Sequence, residues 1–261
     1  MTEPKSSKFE IHEAARDGRL PIVESLLSAN SKLASLRDED DRLPLHWAVS
    51  FNHIPIVQLL LQAKDFDVDA KDGIGWTPLM MATSRKDGDA MVDLLISRGA
   101  NVNATSTTAS LRFVHMRNGK GTLLTMVLDN AGQTALHFAA SKNNLDIARK
   151  LIAQKATTRT KDRRQQLPLH RAAAVGSTPM MKLFLENKSP LNATDLDNMT
   201  ALHHAVSEGH GDAAAFLLKE GAEHDKRDSN GNLAIQLAPD VKVKTFVLQA
   251  AEREGIEMAQ R

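Results

Sequence analysis

The strongest constraint on this chain is a seven-letter phrase that returns in register. It reads RLPLHWA at 42–48, WTPLMMA at 76–82, QTALHFA at 133–139, QLPLHRA at 166–172 and MTALHHA at 199–205. Weaker copies stand at 9–14 (FEIHEA) and 232–238 (NLAIQLA). Aligned on one letter, the copies place His12, His46, Met80, His137, His170, His203 and Gln236 in register, with steps of 34, 34, 57, 33, 33 and 33 residues. A fixed period near 33 means that each unit is one supersecondary element, which buries its apolar face only by stacking on its neighbours. The expectation is an all-α repeat solenoid. A single domain at 9–261 holds seven units, about 9–38, 39–71, 72–105, 130–162, 163–195, 196–228 and 229–261, after a disordered N-terminus at 1–8.

Each unit has a local logic. Thr77, Thr134 and Thr200 stand where a helix should start, and a Thr oxygen there can accept a free backbone N–H. Pro44, Pro78 and Pro168 follow at the first helical position, where a missing N–H costs nothing. Two places after the marker comes a small residue: Ala14, Ala48, Ala82, Ala139, Ala172, Ala205 and Ala238. That recurrence predicts a close helix–helix approach. Paired apolar residues such as Ile56, Val57, Leu59 and Leu60, or Met91, Val92, Leu94 and Leu95, predict a second helix. Gly99 and Gly221 fit left-handed residues closing two of these helices. Asn- and Asp-containing stretches at 101–103, 192–198 and 228–232 then turn the chain back.

One step is too long by about 24 residues, an insertion at 106–129. Its runs LRFVHM (111–116) and TLLTMVL (122–128) flank Arg117-Asn118-Gly119-Lys120-Gly121. A hairpin around Asn-Gly, that is, a lengthened turn, is one reading. A disordered loop, or a stretch foreign to the module, are the others.

Composition excludes most chemistry. Lys and Arg number 33 against 32 Asp and Glu, a net charge of +1, which argues against wrapping nucleic-acid phosphates. There is no cysteine, so disulfides, thiolate zinc sites and thiol nucleophiles are absent. No apolar run approaches a bilayer span and MTEPKSSK lacks a signal-peptide core, so a soluble cytoplasmic and nuclear protein is expected. Five of the ten histidines are the repeat letter, read as buried imidazoles tying a helix start to the adjacent loop. His204 and His210 are six apart with no third ligand. His12-Glu13 ends in Arg16 rather than a second His, so it is not a zinc-protease helix. Gly119-Lys120-Gly121-Thr122 lacks the first Gly of a phosphate loop, and no G-x-S-x-G occurs. No catalytic, cofactor or metal residue is assigned, and the chain is not read as an enzyme.

The phrase TPLH-x-A in register resembles the ankyrin repeat over about residues 5 to 261. The resemblance implies antiparallel helix pairs joined by β-hairpin-like fingers, with a concave binding face formed by the fingers and first helices. Leu43 and Leu167 depart from the pattern at the Thr position, and Met80 at the His position. In that geometry the second unit presents Arg42, Trp47, Ser50 and Phe51. The third presents Trp76, Met81, Ser84 and Arg85, and the fourth Gln133, Phe138, Ser141 and Lys142. The fifth presents Arg171, with Arg163 and Arg164 on its finger; the sixth presents Asp197, Met199, His204 and Glu208. Both tryptophans fall in this set, and Trp, other aromatics and Arg are what binding hot spots favour. The alternative is that the rings pack between neighbouring repeats. Arg42, Arg85, Lys142, Arg163, Arg164 and Arg171 precede Asp195, Asp197, Glu208 and Asp212, so the expected partner is acidic over one stretch and basic beyond it.

RLPLHWAVSF at 42–51, GWTPL at 75–79, ASKNNLDIA at 140–148, LPLHRAAAVGS at 167–177 and EGHGDAA at 208–214 look like the gankyrin family of proteasome regulatory-particle assembly chaperones. The resemblance implies a monomer that binds neither nucleic acid nor membrane. Its concave face would hold the C-terminal domain of one AAA ATPase subunit of the base ring, the third by the usual naming. It also implies that Arg42 and Lys142 meet carboxylates of that domain, next to the aromatic flank Trp47–Phe51. The insertion at 106–129 departs from the family pattern within that footprint. A general ankyrin adaptor, or an inhibitor of a kinase or transcription factor, is the other binding-protein reading.

Overall fold

The computed structural model describes residues 8–63, 66–107 and 132–258, together with the backbone of 113–118 and 121–126. Apart from Lys8, the N-terminal segment expected to be disordered lies outside the described residues. The chain divides into two compact units, Met1–Gly132 and Gln133–Arg261.

The first unit holds three helix pairs: α1 (Glu10–Arg16) with α2 (Leu20–Ala29), α3 (Pro44–Ser50) with α4 (Ile54–Leu60), and α5 (Pro78–Thr83) with α6 (Asp89–Ser97). The second holds α7 (Ala135–Ser141) with α8 (Leu145–Ala153), α9 (Pro168–Ala174) with α10 (Thr178–Glu186), and α11 (Ala201–Ser207) with α12 (Gly211–Lys219). A 3-10 turn at Ala234–Leu237 and α13 (Val241–Arg253) follow. First helices stack on first helices, α1 on α3 on α5 in one unit and α7 on α9 on α11 in the other. Ala14, Ala48, Ala82, Ala139, Ala172 and Ala205 are fully buried, as that stacking requires. A larger side chain there would force the helices apart. Among the described residues no helix is long and apolar enough to cross a membrane.

Left-handed residues repeat with the period. Five residues before the marker, Asp41, Gly75, Gly132, Gln165, Asn198 and Gly231 all have positive φ and turn each finger. Gly99, Lys155, Lys188 and Gly221 do the same after a second helix. The insertion begins where such a finger closes: Gly132 N–H donates to Ser106 O at 2.7 Å. With its ends that close, the finger lengthens at little extra entropic cost. Within it β1 (Phe113–Asn118) and β2 (Gly121–Met126) pair antiparallel, with Asn118 opposite Gly121. The remainder of the expected insertion, 108–112, 119–120 and 127–129, lies outside the described residues.

The marker histidines hold finger to helix. At His46, His137 and His170, Nδ1 accepts the backbone N–H three residues back, from Leu43, Thr134 and Leu167 at 2.9–3.1 Å. With that nitrogen an acceptor, Nε2–H donates to a carbonyl of the next finger: Ala70 at 2.9 Å, Gln166 at 3.0 Å and Ala193 at 3.1 Å. Burial, against weak compensation from those carbonyls, pushes His137 and His170 down to about 4. Both rings are therefore neutral, which the donor pattern demands. Thr77 caps its helix as expected, through Met80 N at 3.4 Å. Thr200 caps likewise, through His203 N at 3.5 Å, and at Thr134 and Thr200 the hydroxyl also lies 2.9 Å from Nδ1 of His137 and His203, so it supports the imidazole.

A candidate protein-binding face built on finger aspartates

Eight residues before the marker, a finger aspartate recurs: Asp38, Asp72, Asp162, Asp195 and Asp228. All but Asp38 are buried in the fold. Oδ1 folds the finger by accepting amides two and four residues on. The distances are 3.0 and 2.8 Å at Asp38, 3.1 and 2.9 Å at Asp72, and 3.0 and 2.9 Å at Asp195. These are Asx turns, in which a side chain substitutes for backbone.

The second oxygen turns toward the first helix. Trp47 Nε1–H donates to Asp38 Oδ2 at 2.6 Å, Arg171 donates to Asp162 Oδ2 at 3.0 Å, and His204 Nε2 lies 2.9 Å from Asp195 Oδ2. In each case the donor is nine residues after the carboxylate, one place beyond the marker. A side chain from the preceding repeat can join: Arg42 Nε reaches Asp72 Oδ2 at 3.3 Å, and Gln166 Nε2 reaches Asp195 Oδ2 at 3.0 Å. Burial works to raise Asp38, but the Trp47 N–H and the Arg42 and Asp40 amides outweigh it and hold the carboxyl below its usual value. Burial is likewise overcome at Asp195 by His204, Gln166 and the Met199 amide, which keep it strongly acidic.

The expected surface residues divide on this chemistry. Trp47, Arg171 and His204 have a donor for their aspartate and stay half-buried. Met81 and Phe138 occupy the same position without one, and both are buried, 5% and 8% exposed, rather than presented. At Met81 the apolar side chain gains nothing from the Asp72 carboxylate and turns into the core. Gln133 is also buried, as is Asp195 from the expected acidic stretch.

In the first unit the guanidinium of Arg42 lies 5.0 Å from the Trp47 ring centroid. Trp47 stacks on Phe51 at 6.3 Å, and Phe51 stacks on His53 at 6.5 Å. Phe51 is half exposed, so the ladder carries open apolar surface. Arg85 is tied to the Ser50 carbonyl and to Asp87 at 2.8 Å. Trp76 and Ser84 are half-buried; Ser50 sits between, 3.5 Å from the Met81 sulfur. A cavity of about 180 Å³ opens beside Trp47, walled by Phe9, His12, Glu13 and Asp38. Sequence reasoning missed it because its walls come from two repeats. In the second unit Ser141, Lys142 and Glu208 are exposed, and Arg163 and Arg164 stand out on a finger. Among the described residues no three His, Asp or Glu side chains converge as a metal cage.

Comparison with known proteins identifies the repeat. The family model for ankyrin repeats in three copies matches residues 11–106 and 136–228. The chain is 35% identical over 247 residues to the "Probable 26S proteasome regulatory subunit p28" of Saccharomyces cerevisiae, covering 93% of this chain and 98% of that protein. It is also 35% identical to an ankyrin repeat-containing protein of Schizosaccharomyces pombe, over 90% of this chain and 92% of that one. Among solved structures, the human ASB11 ankyrin repeat domain superposes with a TM-score of 0.73 at 22% identity, over 92% of this chain and 96% of that one. The ankyrin repeat domain of Bcl-3 gives 0.68 at 20% identity, over 94% and 99%. At those identities the structural likeness concerns the fold alone.

Proposed function

The chain belongs to the ankyrin-repeat family, and on that premise we propose that it is a protein-binding scaffold acting as an assembly chaperone of the proteasome regulatory particle. It holds the C-terminal domain of a base-ring AAA ATPase subunit, the third, against the finger and first-helix side of its repeats. The observation that carries this reading is the 35% identity to the yeast proteasome regulatory subunit, which runs over nearly the full length of both chains. A shared fold alone would not require that, because ankyrin domains serve many partners. The side chains on this face support the reading too. Arg42, Trp47 and Phe51 form a stacked, partly open set in one unit. Ser141, Lys142, Arg171, His204 and Glu208 offer polar and charged tips in the other. Buried aromatic anchors within a polar surround are how protein interfaces concentrate binding energy. The protein needs no turnover for this role.

The test is direct binding. The purified C-terminal domain of the third base-ring ATPase, titrated against the full chain by calorimetry, should give a one-to-one complex, and Trp47→Ala should weaken it. Absence of heat with that domain, together with capture of a kinase or transcription factor from extract, would move the protein to the adaptor reading.

A further inference from the structure

Each finger aspartate does more than turn its own loop. Asp38 Oδ1 is filled by the Asp40 and Arg42 amides, which complete the turn. Its Oδ2 is left for the Trp47 indole, 2.6 Å away. The same division recurs at Asp162, with Gln166 N on one oxygen and Arg171 on the other, and at Asp195, with Met199 N on one oxygen and His204 on the other. Three chemically different side chains are thus held in one way, and where the position carries Met81 or Phe138 the side chain is swallowed. An indole, a guanidinium and an imidazole are planar. Tethering the donor edge to a finger carboxylate fixes the plane.

We propose that Asp38, Asp162 and Asp195 are positioning residues, which hold Trp47, Arg171 and His204 in the orientation that meets the partner. Where the residue nine places after a finger aspartate can donate a hydrogen bond, the repeat then offers an oriented side chain. Such pre-ordering removes rotamer entropy before binding, so less is lost in the complex. Arg42 fits the same logic from the preceding repeat, because Asp72 holds its guanidinium over the Trp47 ring.

The inference rests on the protein-binding reading of this face, and its first test needs no partner. The chain has two tryptophans, so a 15N-labelled sample shows two indole N–H resonances, and Trp47→Phe identifies which is which. Asp38→Asn keeps an oxygen for the turn amides and replaces the oxygen at Trp47 with an amide that cannot accept. The Trp47 resonance should move upfield and exchange faster with water, with the Trp76 resonance unmoved. The second test is a double-mutant cycle on the affinity for the ATPase C-terminal domain. Asp38→Asn and Trp47→Phe should each weaken binding about tenfold, and the double variant should bind no worse than Trp47→Phe. An unmoved Trp47 resonance, or an equal further loss from Asp38→Asn in the Trp47→Phe background, overturns the inference. Failure of the wild-type chain to bind the domain overturns the proteasomal reading alone, and the indole resonance then decides the positioning role.

Discussion

Asp195 and His204 meet across the corner between finger and helix, with Nε2 2.9 Å from Oδ2, and the Gln166 amide reaches the same oxygen from the preceding repeat. One carboxylate therefore joins two repeats while its other oxygen accepts the Asp197 and Met199 amides. Removing it orphans four donors at once. Asp195→Ala should lower stability by about 3 kcal/mol, because breaking a buried charged network leaves its partners unsatisfied. Asp195→Asn, which still serves the turn, should cost less than half of that. Urea denaturation of the three proteins checks both values, and equal losses would show that the second oxygen carries nothing.

Acid should weaken the fold earlier than carboxylates alone would cause. His137 and His170 sit at about 4 in the folded chain because burial disfavours the imidazolium, against 6.5 when unfolded. A group whose folded value is depressed contributes stability that is present above its unfolded value and lost as pH falls toward the folded one. The window is therefore pH 6.5 to 4, and each histidine can remove up to about 1.4 kcal/mol per pH unit within it. His46 and His203 are lowered by burial too and act with the same sign. Asp38 and Asp195 are held below the ordinary carboxylate value, so their losses begin lower, near pH 4 and beneath. The urea midpoint should drop steeply between pH 6.5 and 4.5; a flat midpoint there would mean that the rings charge without unfolding the chain.

Gly18 and Gly176 are not interchangeable with alanine. Both have positive φ, at 75° and 70°, and each lies against an imidazole. A Cβ on Gly18 would come 2.7 Å from the His53 ring, and one on Gly176 would come 2.6 Å from the His210 ring. Those rings are fixed, since His53 Nε2 bonds the Arg16 carbonyl at 2.8 Å and His210 Nε2 bonds the Ala174 carbonyl at 3.1 Å. Gly176→Ala should cost about 2 kcal/mol from left-handed strain together with the displaced ring. Gly99→Ala, where open space surrounds the site, should show the conformational strain by itself. Thermal denaturation of the two variants separates the contributions.

These residues also show which parts of the molecule the sequence reveals. Helix pairs and marker histidines were legible because similar residues recur at one register position, whereas of the left-handed turns only Gly99 and Gly221 were, since Asp41, Gln165, Asn198, Lys155 and Lys188 fill many of the others. The aspartate pairs were not. The carboxylate recurs, but its donor nine places on is Trp47, Arg171 or His204, so no letter repeats and a periodic search sees variation. Met81 and Phe138 were misplaced because position alone pointed outward, while neither side chain can bond a finger carboxylate and both are buried. His210 stood outside the repeat letter with no assigned role, and the structure sets it, like His53, against a left-handed glycine.

The charge prediction narrows to one residue. Arg42 is held by Asp72, Arg171 by Asp162 and Arg85 by Asp87, so much of their field is neutralised within the chain. Lys142 is exposed, and among the described residues no carboxylate lies within ion-pair distance of it. Long-range attraction of an acidic partner patch therefore falls on Lys142 more than on the arginines. Lys142→Glu should slow association with the ATPase domain about tenfold at low salt, while changing dissociation less than threefold. Raising ionic strength should shrink the difference, because exposed charges are screened beyond about 8 Å at physiological salt. Arg171→Gln, which removes an internally paired cation, should act mainly on dissociation. Stopped-flow association at several salt concentrations distinguishes the two, and a salt-independent rate for the wild-type chain would show that charge does not guide the encounter.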